Sequence, residues 1–355
     1  MNLINNKHIN FIYFSNSNDA SGIVLKVNNF RKSSESLGYA TSILKLNVEN
    51  GFINNFKLLV NKVCKSKGIF FFRYNNSLNV FFFIAICILR LRNQIVITEI
   101  PTPITNYLNE LFMSKSSFLK KLVIFFNTLF LGPLPFILSN LNIQYSLESK
   151  YFSLLSKSIL IGNGIDTDYY VFKKNYNKNK YLKFIIIANL ASWHGVDKIL
   201  IALSKISYNF ELKIVGDGVE YEKLQLLSNK LNLENSVLFL GNMNRKEYIK
   251  YLYSSDLGIG SMSWDLIGVK VSSALKLREY VSCGLPVVFT SFDPDLSDQE
   301  FAFQVDGSQN SIDQFFSTLP FLENPISSNK IRSFAKSKLS MKVKMKSILN
   351  EINIG

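Results

Sequence analysis

Residues 272–291 read SSALKLREYVSCGLPVVFTS. The stretch predicts a short helix that stops at a glycine and feeds a buried strand at Val287–Thr290, a common unit of α/β architecture. Lys276 and Glu279 are three residues apart, so they share one face of that helix. In an α/β sheet such a face often borders the crevice where ligands bind. Taken alone, the pair is better read as a solvated ion pair at a helix end.

Working outward, apolar runs at 184–190 (FIIIANL), 211–218 (ELKIVGDG), 236–241 (SVLFLG), 257–261 (LGIGS) and 286–290 (PVVFT) alternate with helical stretches. Five strands alternating with helices predict a Rossmann-like domain. The first half repeats the theme. INFIYF (9–14), Thr41–Leu46, IFFFR (69–73) and IVITE (95–99) read as strands, with a helix over 23–38. The polar, basic, Asn-rich segment VFKKNYNKNKYL (171–182) reads as a linker, and 331–352 as one basic amphipathic helix. The expected organisation is therefore 1–170, a linker at 171–182, a second domain at 183–330 and a final helix over 331–355.

A chain of 355 residues, 47% hydrophobic and 19% charged, is too long for one core and suits two domains. The net charge of +14 is uneven: residues 1–175 carry +11 and the remainder +3. A basic first half suggests a polyanionic partner or an anionic membrane surface. Cys64, Cys87 and Cys283 match no zinc or redox spacing, and His8 and His194 are the only histidines, so no transition-metal site is expected. A reducing cytoplasmic setting fits, and the N-terminus has no apolar run of signal-peptide type. Residues 122–138 (LVIFFNTLFLGPLPFIL) follow Lys120 and Lys121 and carry no charge. An Asn, a Gly and two Pro make a poor spanning helix. A buried helix followed by a turn is the favoured reading, ahead of a helix lying in a membrane interface with the lysines at the headgroups.

Ligands of doubly wound domains bind at the carboxyl ends of the strands. Four such places stand out: ANLASWHGVDK with Asn189, His194, Gly195 and Lys198; Gly216-Asp217-Gly218; LGNMNR with Gly241 and Met243; and the Lys276/Glu279 pair. Together they offer glycines and cations for phosphates, an apolar loop for a base and a carboxylate for ribose hydroxyls. No GxGxxG dinucleotide fingerprint or P-loop is present, which argues against NAD enzymes and P-loop ATPases.

The order ANLASWHGVDK, LKIVGDG, FLGN, SDLGIGS and ALKLREYVSCGLPVV resembles the donor domain of family 4 retaining glycosyltransferases of the GT-B fold. SGIVLKVNNF (21–30) resembles the family's glycine loop after the first strand. FFFRY (70–74) and ITEIPTP (97–103) resemble segments of bacterial members that build surface polysaccharides, and SILIGNGIDTDYY (158–170) resembles the stretch before their linker. The resemblance covers most of residues 9–352. It implies two Rossmann-like domains facing each other across a cleft, with a C-terminal helix returning to the first. The second domain would hold a UDP- or GDP-linked sugar, with Glu279 on the ribose, Lys276 at the diphosphate and Gly241 to Met243 at the base. Gly22 would reach the diphosphate. The first domain would bind the acceptor, commonly a saccharide on a membrane-embedded polyprenyl diphosphate, with Lys26, Arg73 and Glu99 as its candidates. Glu99, at a strand end, would take the acceptor's proton or steady the sugar cation.

Two departures from the family pattern stand out. The family's second Glu, eight residues before the ribose Glu, is Val271 here. Its diphosphate-binding Arg and Lys align with Asn189 and His194, leaving Lys198 to supply charge. Asp293-Pro-Asp295 and Asp166-Thr-Asp168 resemble metal-binding Asp-x-Asp pairs, but neither sits where that chemistry needs it. No metal and no cofactor are expected. Two rivals remain: an epimerase or hydrolase acting on a nucleotide-sugar, and a non-enzymatic basic protein binding membrane or nucleic acid. The dispersal of the basic residues argues against nucleic acid.

Overall fold

The computed structural model describes residues 7–15, 22–75, 79–101, 117–145, 156–170, 181–319 and 326–353, with Ile104, Tyr107, Leu108 and Leu111. The chain divides into two units, Met1–Ile161 with Met341–Gly355, and Gly162–Ser340. The boundary thus falls before the expected 170, so the 162–170 stretch belongs with the second unit. Most of the expected linker lies outside the described residues.

The first unit is a parallel sheet in the order β2-β1-β3-β4-β5-β6. Its strands are β1 (His8–Phe14), β2 (Ala40–Leu46), β3 (Ile69–Arg73), β4 (Ile95–Ile100), β5 (Leu141–Gln144) and β6 (Ser158–Leu160). Helix α1 (Gly22–Ser36) and the last helix cover one face, where Phe11, Phe71 and Ile97 meet Phe30, Met345 and Ile348. Helices α2 (Gly51–Lys65) and α3 (Asn79–Leu91) cover the other, where Phe70, Phe72 and Val96 meet Leu59, Val63 and Phe82. Side chains alternate between faces along a strand, so a sheet covered on both sides needs continuous apolar runs such as IFFFR.

The favoured reading of 122–138 does not hold for its first part. Helix α4 (Phe118–Phe130) lies on the surface, with Val123 and Phe130 each 66% exposed and Thr128 the one buried side chain among those described along it. A turn then leads to the short helix α5 (Leu134–Leu138), whose Phe136 is buried.

The second unit is a parallel sheet of β7 (Leu182–Ile187), β8 (Phe210–Val215), β9 (Val237–Gly241), β10 (Leu257–Ile259), β11 (Val287–Phe289) and β12 (Ala302–Gln304). Their order is β9-β8-β7-β10-β11-β12, the doubly wound arrangement, and the direction of winding reverses between β7 and β10. The sixth strand, β12, was not predicted; three residues carry too little periodicity to register. Helices α6 (Val196–Leu203), α7 (Tyr221–Lys230), α8 (Arg245–Ser254), α9 (Leu275–Ser282) and α10 (Gln309–Thr318) complete this Rossmann-like layer.

The expected single helix over 331–352 is two. Helix α11 (Ser328–Phe334) and a π-helical turn (Ala335–Leu339) stay in the second unit; Ser340 is extended and bridges Ile165; helix α12 (Met341–Asn353) returns to the first unit and packs on α1. The break is visible in the buried positions. Ile331, Ala335 and Leu339 recur every four residues, and the next buried residue, Met341, follows after two. A continuous helix cannot keep both on one face.

Helix α9 lies against the bare backbone of β10. A Cβ at Gly258 would stand 2.3 Å from the Tyr280 ring, and one at Gly260 would stand 2.9 Å from Phe289 Cβ. The Tyr280 hydroxyl accepts a 2.8 Å hydrogen bond from the Ile187 amide, which ties the helix to β7 as well. Gly258→Ala should therefore cost about 1–3 kcal/mol through overpacking. Denaturant unfolding measures it, and an unchanged midpoint would contradict this packing.

Candidate functional site

Lys276 and Glu279 share a face of α9 and do not pair with each other, so the solvated ion-pair reading fails. The Lys276 ammonium nitrogen is buried and finds no hydrogen-bond partner. Burial without a counter-charge lowers its pKa to about 7. His194, after β7, is driven down to about 3, chiefly by burial and further by the Lys276 charge, and is therefore neutral. Its Nδ1 and the Ser261 hydroxyl, after β10, are also buried without partners. Three unmet polar groups thus collect around the switch point of the sheet.

Backbone pairing locks that place. The Met262 amide donates to the His194 carbonyl at 2.9 Å and the Ser263 amide to the Trp193 carbonyl at 3.3 Å, so the loops after β7 and β10 clasp each other. Gly195 is left-handed at the N-cap of α6, where a Cβ would lie 2.7 Å from the Ser263 hydroxyl. Trp193 and Trp264 flank His194, their ring centroids 6.0 and 6.3 Å from the imidazole.

Glu279 has a different set of neighbours. The Tyr248 hydroxyl donates to Oε2 at 2.8 Å, and Arg245 Nε stands 3.5 Å from Oε1. The Arg245 guanidinium lies over the rings of Tyr169 and Tyr170, at 4.3 and 4.5 Å, and donates to the Tyr170 hydroxyl. Burial raises the Glu279 pKa; Arg245 and the tyrosine hydroxyls hold part of that rise back. Gly241 is open, with no atom within 4 Å of where a Cβ would stand, and Met243 packs against the core beside it. Asn244 then caps α8 in a capping box with Glu247.

Several other expected site residues have structural contacts of their own. A Cβ at Gly216 would fall 1.8 Å from the Ala188 carbonyl oxygen, and one at Gly218 2.3 Å from that of Leu190. These glycines make room for a neighbouring loop. Asp217 accepts from the Leu190 amide through its carbonyl and from the Gly218 amide through its carboxylate. Lys198 donates to the Gly307 carbonyl at 2.7 Å, which ties α6 to the loop after β12 and leaves Lys276 as the buried cation near His194. Asn189 is exposed, and Val271 is buried and bridged to Phe292. Asp293 and Asp295 bind the buried guanidinium of Arg278, and Asp166 caps a 3-10 turn by accepting from the Asp168 amide. Both Asp-x-Asp pairs thus have structural tasks.

In the first unit, Lys26, Arg73 and Glu99 do come together. Oε1 of the buried Glu99 lies 2.7 Å from Lys26 Nζ, 2.7 Å from Arg73 and 2.9 Å from the Tyr145 hydroxyl, while Oε2 is buried without a partner. Burial pushes the Glu99 pKa up, but Arg73 and Lys26 outweigh it and hold it at about 2. A carboxylate so stabilised is a poor proton acceptor, which favours the second of its two expected roles, steadying the sugar cation, over the first. Gly22 opens α1, and residues 16–21 before it lie outside the described set.

Arg245, Tyr170, Tyr248 and Ser261 were not foreseen. Tyr170 is 75 residues from Arg245, and the sequence carries no signal that joins them.

Residues 170–299 match the family pattern for glycosyl transferases group 1. The chain is 30% identical over 155 residues to an uncharacterized glycosyltransferase of Methanocaldococcus jannaschii, covering 41% of this chain and 36% of that protein. It is 32% identical over 121 residues to N-acetyl-alpha-D-glucosaminyl L-malate synthase of Bacillus anthracis, covering 33% and 30%. The chain thus spans about a third of the length of these relatives. Anabaena HepE, in a structure with UDP and glucose, superposes with a TM-score of 0.66 at 15% identity, covering 98% of this chain and 100% of that one. The two-domain α/β fold is therefore the GT-B fold, as the sequence led us to expect.

The Lys276 pKa supplies a check that needs no ligand. Its folded value of about 7 lies below the unfolded value, about 10.4, so the unfolded chain binds more protons between those limits and stability rises with pH there. Lys276→Met should raise stability at pH 7 and flatten the rise from pH 7 to 9. Unfolding midpoints at both pH values test it; equal slopes in the two proteins would refute the assignment.

Proposed function

We propose that this chain is a retaining glycosyltransferase. It moves a sugar from a UDP- or GDP-linked donor to a saccharide carried on polyprenyl diphosphate, building a surface polysaccharide such as capsule, O-antigen or exopolysaccharide. Its place is the cytoplasmic face of an anionic membrane. The observation that carries the reading is Lys276, a buried ammonium without a counter-charge at the switch point of a glycosyl transferases group 1 region. A buried cation in that state is costly until an anion arrives. The diphosphate of a nucleotide-sugar is such an anion, and the UDP held by the structurally similar HepE supports the choice.

The geometry supports the following roles. Lys276 takes up the charge of the departing diphosphate, and His194 stays neutral, so it donates or accepts one hydrogen bond without adding charge. Tyr248 holds Oε2 of Glu279, and Oε1, ion-paired with Arg245 at 3.5 Å, has lone-pair capacity to accept a ribose hydroxyl as well. Glu99 fixes Lys26 and Arg73 on the acceptor side, and its unpartnered Oε2 can accept one acceptor hydroxyl. The bond from the anomeric carbon to the diphosphate breaks as the bond to the acceptor oxygen forms on the same face. With Glu99 held ionised by cations, the acceptor's proton passes to the departing phosphate oxygen. No residue in this scheme calls for a metal ion or cofactor.

A thermal-shift screen with nucleoside diphosphates and nucleotide-sugars identifies the donor. With that donor, Lys276→Ala should lower turnover by about a hundred- to a thousandfold, the effect of removing one preorganised donor of about 2.7–4 kcal/mol, and weaken donor binding far less. Glu279→Ala should instead weaken binding by roughly ten- to a hundredfold, about 1.5–3 kcal/mol. Near-normal turnover in the Lys276 variant, or activity abolished by EDTA, would overturn the mechanism.

A further inference from the structure

We infer that the first unit docks on an anionic lipid bilayer through a rim built from two helices, α2 and α4, and that this rim lies at the edge of the sheet that carries Arg73 and Glu99. The expectation of a membrane contact rested on the basic first half and on the segment after Lys120 and Lys121; the structure adds a second, separate element, α2. In the first turn of α2, Phe52 and Ile53 are each 67% exposed. On α4, Phe118, Val123, Phe126 and Phe130 are each more than half exposed. Exposed apolar side chains scattered singly are ordinary, but clusters of this size mark interaction surfaces.

The start of α3 joins the two clusters. The Phe52 ring packs on Phe81 with centroids 4.2 Å apart, and Asn79, two residues earlier on α3, donates to the Asn127 carbonyl on α4 at 3.3 Å. The topology fixes the edge. Helices α2 and α3 follow β2 and β3 in a parallel sheet, so they begin at its carboxyl edge, where Arg73 ends β3 and Glu99 stands one residue from the end of β4.

Charge selects the occupant. Near this edge Lys57 lies on α2 and Lys120 and Lys121 on α4, and α2, α3 and α4 contain no acidic residue; Lys62, Lys65 and Arg90 stand at the far ends of α2 and α3. Glu49, in the turn before α2, is exposed and reduces that charge locally. Aromatic and aliphatic side chains flanked by cations match the interfacial zone of an anionic bilayer, where apolar groups enter and lysines meet headgroups. The inference rests on the transferase reading only in this: an acceptor on a lipid carrier would meet the Lys26–Arg73–Glu99 cluster directly from the bilayer.

The test is co-sedimentation of the full chain with phosphatidylcholine vesicles, with and without phosphatidylglycerol, at low and high salt. Wild-type protein should prefer the phosphatidylglycerol vesicles and lose that preference near 1 M salt. The double variants Phe52→Glu/Ile53→Glu and Phe126→Glu/Phe130→Glu should each weaken partitioning at least tenfold. These side chains are mostly exposed, so the variants should stay folded, with the unfolding midpoint lowered only by the lost Phe52–Phe81 and Phe126–Phe130 ring contacts. Absence of vesicle binding by wild type, or wild-type binding by the α2 variant, would overturn the rim. So would velocity sedimentation showing a dimer that both variants dissolve, because the face would then bind a second copy. Nucleoside diphosphate binding, followed by thermal shift in the same proteins, should not change. Its failure in wild type would sink the transferase reading and leave the vesicle result standing.

Discussion

The packing of α9 on the side-chain-free backbone of β10 governs the second unit. Gly258 and Gly260 remove the Cβ atoms that would otherwise hold the helix away, and Tyr280 fills the space over Gly258. That close approach sets the helix deep enough to bury Lys276, Arg278 and Glu279 within four residues of each other. Such a concentration of ionisable groups runs against the ordinary cost of removing charge from water. How each one is compensated separates architecture from function.

Arg278 is compensated in full. It is 0% exposed, paired with Asp293 and Asp295, and hydrogen-bonded to the Asn163 carbonyl. Removing one partner of such a group is destabilising by several kcal/mol, so it acts as a fixed point of the fold. Two residues earlier on the same helix, Lys276 has nothing. The neighbouring His194 stays neutral, and the nearby Lys198 is committed to a carbonyl after β12. One helix thus carries a satisfied cation beside an unsatisfied one, and the contrast singles out Lys276 as the group that awaits an anion.

Much of this was legible in the sequence, for identifiable reasons. Strands covered on both faces must be apolar throughout, so FIIIANL and IFFFR declared themselves. The three-residue spacing of Lys276 and Glu279 placed them on one face whatever their partners were. What escaped was set by tertiary contact. Gly216 and Gly218 look like phosphate-loop glycines but make room for the carbonyls of Ala188 and Leu190. Glu99 looks like a catalytic acid at a strand end, yet Lys26, from 73 residues earlier, and Arg73 lock it as an anion. The surface position of α4 was hidden because an apolar run reads alike whether it faces a core or the outside.

The central claim, that the buried Lys276 receives a diphosphate, has one direct test: the proton count of binding. At pH 8 a lysine with a pKa of about 7 is mostly neutral, whereas a bound diphosphate would hold it protonated. Calorimetric titration with UDP and GDP in buffers of different ionisation enthalpy measures the protons exchanged. The account predicts uptake of close to one proton per nucleotide bound at pH 8, lost in Lys276→Met. Binding without proton uptake, or uptake that persists in the variant, would contradict it.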